Sequence, residues 1–181
     1  EIAAGKWVRL ACARFLEDLN RAENEPEAFP YRVDVMRAEG ACRAIALFPH
    51  IRGRLAGRPL ALSDWQSFIL ANVFGWVERE RGLRRFRRVY VEVPRKNGKS
   101  TLTAAVGLYM LALDGEPGAE VYSAATSRDQ ARIVFDAARL MAEASSGFCR
   151  RYGVQPLANS ITAPGLIAAQ APRESDRSIH E

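Results

Sequence analysis

The sequence predicts an α/β fold, with parallel strands and covering helices preceded by a small helical segment. Three observations carry this. Val89, Val91 and Val93 place β-branched residues at alternate positions, and Pro94, which cannot donate a ladder hydrogen bond, marks the strand end. From Ser100 the residues suit a helix, and Leu102, Ala105, Val106, Leu108, Tyr109 and Leu113 make it largely apolar. A second strand and helix then follow. That order implies parallel strands joined by crossover helices, in which ligands sit at the carboxyl ends of strands.

The elements follow in chain order. Residues 6–20 read as an amphipathic helix, with Val8, Ala11, Cys12, Phe15 and Leu19 at helical spacing; Pro26 and Pro30 break it. A second helix is predicted from Val33 to Leu47 and stops at Pro49. Both helices have a packing role. Residues 51–59, with three Arg and two Gly, form a loop. Ser63 and Gln66 then make a capping box, opening a helix with Trp65, Ile69, Val73 and Trp76 on one stripe. The charged stretch 78–88 links that helix to a strand over Arg87–Val93. After the apolar helix, 114–118 has turn chemistry, and 119–124 reads as a short strand around Val121 and Tyr122. Ser127 and Gln130 suggest another capping box, on a helix over 128–144. Residues 147–181 carry several breakers; a short strand pair is predicted between Tyr152 and Ile161, and 170–181 reads as unstructured. The expected division is a helical segment over 1–58, a main domain over 59–145 and a poorly defined tail over 146–181.

Composition narrows the function classes. The chain has 181 residues and is 48% hydrophobic, so a sizeable core can form. No apolar run approaches the roughly 18 residues of a membrane span. The start has neither an initiator Met nor a secretory leader and reads as a chain entered partway through. Cys12, Cys42 and Cys149 are scattered without metal-ligand spacing, which points to reduced structural thiols. The net charge is +5, yet residues 78–99 alone hold nine Lys/Arg against three Glu. A polyanion partner, nucleotide or nucleic acid, is one reading of that cluster; a solvated basic hairpin is the other.

The chemistry concentrates between strand and helix, at Arg95-Lys96-Asn97-Gly98-Lys99-Ser100-Thr101. A Gly-Lys-Ser at such a turn holds phosphates: backbone N–H groups of the loop and helix N-terminus face the anion, and Lys adds a mobile charge. The pattern G-x-x-x-x-G-K-[ST] is matched only in its second half, because Val93 stands where the first Gly belongs. A basic surface turn is the alternative.

Three stretches together resemble a known family: Leu62-Ser-Asp-Trp65-Gln66 onward to Trp76, Val93-Pro-Arg95-Lys96-Asn97-Gly98-Lys99-Ser100, and Ala125 to Ala131. They resemble the large terminase subunit of tailed bacteriophages, in the group with an Arg-Lys-Asn-Gly-Lys-Ser loop. Lys6 to Cys12 looks like that group's start, and the resemblance covers roughly residues 5–145. It implies a P-loop ATPase with a parallel sheet between helices, driving viral DNA into a capsid, in which a loop lacking the first Gly is common. By position it implies ATP and Mg²⁺ as cofactors. Lys99 would contact the β/γ-phosphates and Ser100 the Mg²⁺. Gly98 and Asn97 would shape the cradle within a loop that includes Lys96 and Thr101. Arg95 would stabilise the γ-phosphate. Gln66 would read adenine, with Trp65 in the base pocket. Implied partners are double-stranded viral DNA, a small terminase subunit and a portal protein, with no membrane. Oligomerisation in the full motor and a place in the infected host's cytoplasm are implied too.

The departures also shape the expectation. No apolar strand ending in Asp-Glu follows Ser100; Glu174, Asp176 and Glu181 lie among breakers. A carboxylate-rich nuclease domain is absent from the sequence as well. The expectation is therefore a fragment truncated at both ends, binding nucleotide with little hydrolysis. The odd composition after Ile161 also raises a reading as out-of-frame sequence from a degraded prophage. Alternatives are another P-loop NTPase such as a helicase, or a DNA-binding or assembly fragment with a vestigial loop.

Overall fold

A computed structural model of the protein describes residues 4–164. The reading of 170–181 as unstructured, and the acids Glu174, Asp176 and Glu181, lie outside the described residues. The chain forms two compact units, one of residues up to 42 with 62–91, the other of 43–61 with 92 onward. The elements are α1 (Lys6–Asn24), β1 (Tyr31–Val33), α2 (Val35–Ala46), α3 (Asp64–Gly75), β2 (Trp76–Glu78), α4 (Lys99–Ala112), α5 (Arg128–Glu143), α6 (Ser146–Tyr152), β3 (Gln155–Pro156) and β4 (Ile161–Thr162).

In the first unit, β1 and β2 pair antiparallel, Tyr31 facing Glu78, Arg32 facing Val77 and Val33 facing Trp76. Sequence reasoning missed this sheet and placed Trp76 on the helical stripe. In fact α3 ends at Gly75, and Trp76 begins the strand. The predicted capping box is formed, with the Ser63 side chain accepting from the third helical residue's N–H and Gln66 Oε1 accepting from Ser63 N–H at 2.9 Å. Buried Asn72 is satisfied within the helix, its Nδ2 donating to Phe68 O at 2.8 Å.

Trp76 is fully buried and central. The rings of Phe15 and Phe29 meet it edge-on, each with its centroid 6.1 Å away. Into this cluster runs Arg85, whose guanidinium lies 4.9–5.2 Å from the ring centroids of Phe29, Tyr31, Trp76 and Phe86. Its Nη1 is 2.8 Å from Asp18 Oδ2, a carboxylate brought down from the middle of α1 and only 5% exposed. The contact is a charge pair rather than an aligned hydrogen bond, since Nη1 has no acceptor in line. The backbone fixes the approach: Arg85 N–H donates to Trp76 O at 2.9 Å, and Glu78 N–H to Leu83 O at 2.8 Å, folding 78–85 back along β2. Arg79 is equally committed, donating to the carbonyls of Phe29 and Ala22.

Helices α2 and α3 approach closely where both are small. A Cβ on Gly75 would stand 2.8 Å from Ala38 Cβ. Gly75→Ala is expected to destabilise the first unit by about 1–3 kcal/mol through overpacking. Ala38→Gly in the same chain should restore part of the loss. Urea midpoints of the three proteins check this, and an unchanged midpoint for Gly75→Ala would refute the close approach.

In the second unit α4 packs along α5, burying Ala104, Ala105, Leu108, Ala137, Ala138 and Met141. Small residues on both helices allow that contact. Phe48 and Phe148 stack edge-on at 5.0 Å, and Leu60 N–H donates to Phe48 O, closing the loop over 48–60. The predicted short strand pair is present as β3 with β4, antiparallel. Helix α6 was not foreseen; it is seven residues long, and its length hides any periodicity. Ser127 caps α5 by accepting from Gln130 N–H. Gln130 Oε1, however, accepts from the Thr126 hydroxyl at 2.9 Å. Cys149 Sγ donates to Ala142 O, and burial pushes its thiol up; burial, then neighbouring Glu39, pushes Cys42 up.

The fold is thus mixed α/β, but the predicted parallel sheet does not form among the described residues. Neither 87–93 nor 119–124 is a strand, and both described sheets are antiparallel pairs. A strand exists only through a neighbour that completes its ladder, and a parallel sheet also needs both faces covered. Here Val89, Val91 and Val121 are 51, 40 and 43% exposed. Their β-propensity is real, but among the described residues no partner strand is in place to use it. Beside 118–124, α4 and α5 border an apolar trough of about 770 Å³. Among the described residues no helix is long and apolar enough to cross a membrane.

Candidate functional site

The site-bearing loop belongs to the second unit and runs from Val93 into the first turn of α4. Gly98 is the helix N-cap at φ 73°, a left-handed conformation that favours glycine. Lys96 is also left-handed at φ 68°, the one such non-glycine among the described residues. Asn97 lies between them with negative φ, so the backbone alternates in hand over three residues. Such alternation curls successive N–H groups around a common centre.

Side chains hold the other edge of the loop. Lys99 Nζ donates to Val93 O at 2.5 Å and to Pro94 O at 2.9 Å. Asn97 Nδ2 lies 3.2 Å from Pro94 O and 3.3 Å from Arg95 O. Three consecutive carbonyls therefore face side-chain donors. Residues 95 and 96 form a turn, and among the described residues no backbone carbonyl accepts from the N–H groups of Arg95, Lys96 and Gly98. These groups, the N-terminus of a 14-residue helix and three cations lie within five residues. The first turn of α4 contains no acid, although acids there would favour the helix dipole.

Of the residues singled out from sequence, Arg95, Lys96, Asn97, Gly98, Lys99 and Ser100 are exposed on this loop, and Thr101 follows half-buried on α4. Trp65 and Gln66 are half-buried in the first turn of α3, in the first unit. Gln66 already serves the cap, so its Oε1 is engaged. Sequence reasoning missed that Val93 and Pro94 act through their carbonyls. Backbone acceptors leave no side-chain signature, and only the proline ahead of a basic run hints at a turn.

The basic cluster divides. Arg79 and Arg85 are structural, and Arg84 lies over the Phe74 ring at 5.6 Å. Arg81, Arg87 and Arg88 are exposed. Among the described residues no His/Cys/Asp/Glu group could hold a metal ion by itself.

The glycine-capped basic loop thus opens a 14-residue helix within a mixed α/β chain. Residues 64–155 match the family described as terminase large subunit, ATPase domain, slightly more than half of the chain. The chain belongs to that family. The curated proteins and the solved structures yield no match.

Proposed function

We propose that the chain binds MgATP through the loop Pro94–Thr101, as the nucleotide-binding portion of a phage DNA-packaging motor. The observation that carries this is the loop's polarity. Carbonyls 93–95 are held by Lys99 and Asn97, while among the described residues the N–H groups of Arg95, Lys96 and Gly98 have no backbone acceptor. An anion can take those N–H groups together with the Lys99 ammonium.

The residues fit a triphosphate and its magnesium. Lys99 would hold the β/γ-phosphates and Ser100 would ligate Mg²⁺, which spreads the charge of the transferring phosphoryl group when bound. Arg95, exposed beside the loop, suits the developing γ-phosphate charge. Gln66 is the adenine reader by family position; that role requires it to leave the Ser63 cap or to use Nε2 alone.

Double-stranded DNA is the proposed polyanion partner, through the exposed Arg81, Arg87 and Arg88. A small terminase subunit, a portal protein and an oligomeric motor in the infected host's cytoplasm complete the proposal by family. Calorimetric titration of the whole chain with MgATP tests the central claim. Saturable one-site binding is expected, and a folded chain showing none overturns it.

A further inference from the structure

We propose that the loop over 49–59 is a docking surface for the phosphodiester backbone of duplex DNA, through Arg52, Arg54 and Arg58. The inference rests on the reading of DNA as a partner, but on different residues. This loop lies in the second unit, whereas Arg81, Arg87 and Arg88 lie in the first.

The loop is closed by its own backbone. Pro49 and Pro59 face each other in an antiparallel bridge. His50 N–H donates to Arg58 O at 2.8 Å, Gly57 N–H to His50 O at 2.7 Å, and Arg58 N–H to Leu55 O at 2.9 Å. Gly53 and Gly57 turn the chain at φ 74° and 81°. Phe48 and Leu60, flanking the bridge, are buried. The shape therefore needs none of the arginine side chains.

Those side chains are left for another task. Arg52, Arg54 and Arg58 are exposed, and among the described residues none has a hydrogen-bond, ion-pair or ring partner. Arg79 and Arg85, by contrast, are fully engaged. From Gly40 to Ser63 the sequence holds no Asp or Glu. Three guanidinium groups within seven residues, with no acid beside them in sequence, call for a polyanion. Each can form paired bonds with phosphate oxygens. An acidic protein would dock on an apolar or aromatic centre. Among the described residues this loop exposes one large apolar side chain, Leu55, at 42%. A single strand is held by stacking its bases on aromatic rings, and 49–63 contains no Phe, Tyr or Trp. Closely spaced duplex phosphates fit best, and such contacts position DNA without reading its sequence.

Fluorescence anisotropy of a short labelled duplex of mixed sequence, titrated with the whole chain between about 50 and 200 mM salt, tests this. Arg52→Gln, Arg54→Gln and Arg58→Gln together should lower the slope of log affinity against log salt by about two to three units. Binding at the low-salt end should weaken about tenfold or more. Lysine at all three positions should keep the slope, because the charge is kept. Lys6→Gln, Arg9→Gln and Arg150→Gln together remove equal charge from exposed sites elsewhere and should shift it by less than about one unit. Melting temperatures should stay at the wild-type value. If the glutamine triple fails to fold, Arg52→Gln and Arg54→Gln alone should each lower the slope by about one. A wild-type slope in the folded glutamine variants overturns the inference and leaves the reading of Arg81, Arg87 and Arg88 standing. An equal fall in the Lys6, Arg9 and Arg150 set does the same. A larger loss on a single strand of the same length than on the duplex overturns the duplex assignment. Poly-glutamate that competes better than unlabelled duplex, charge for charge, overturns it in favour of an acidic protein. No duplex binding by the folded wild type removes both DNA readings.

Discussion

Lys99→Ala is expected to weaken MgATP binding by on the order of 100-fold or more, because charge-assisted hydrogen bonds contribute roughly 1.5–3 kcal/mol each. The fold should be untouched or slightly firmer. Lys99 opens α4, where its positive charge opposes the helix dipole, and no acid in the first turn offsets it. Its bonds to Val93 O and Pro94 O are at the surface, in competition with water. A structural lysine would show the reverse pattern, losing stability and leaving affinity alone. Calorimetry with MgATP beside a thermal melt separates the two. Retained affinity in Lys99→Ala would sink the phosphate-loop reading and favour a vestigial loop.

Arg85→Ala is expected to destabilise the first unit by about 3–5 kcal/mol, the usual consequence of breaking a buried charge pair. Asp18, 5% exposed, would be left without its partner, and four aromatic rings would lose the cation they surround. Total domain stabilities are only about 5–15 kcal/mol, so the unit would be close to unfolding. Denaturation followed by tryptophan fluorescence, to which buried Trp76 contributes, is the measurement. The double variant Asp18→Leu with Arg85→Leu should recover part of the loss, since apolar replacement of a buried pair is often tolerated. A change below about 1 kcal/mol in Arg85→Ala would return Arg85 to the surface cluster. Exposed Arg87 and Arg88 make the contrast, because their loss should leave the melt alone.

Local signals explain why the helices were legible. The Ser63–Gln66 box and the apolar steps from Leu102 are features of neighbouring residues, and both are present. The basic turn into α4 was legible for the same reason: its glycine, cations and helix start are contiguous. Partners distant in sequence were not legible. Trp76 looks like the next residue on a helical stripe until β1, some 45 residues earlier, takes it as a strand partner. Arg85 looks like one more charge in a basic run until Asp18 and four rings enclose it. The two valine-rich segments differ in the other direction, since their propensity predicted strands where no ladder neighbour is in place among the described residues.

Sequence by itself determines the turn before α4, because its glycine, its helix start and its adjacent charges are contiguous. The family follows from the same contiguous stretches. Folding sorts the arginines into buried struts and exposed contacts, and turns the carbonyls of Val93 to Arg95 onto Lys99 and Asn97. Burial and hydrogen-bond direction depend on which distant groups meet, and a linear pattern does not contain that.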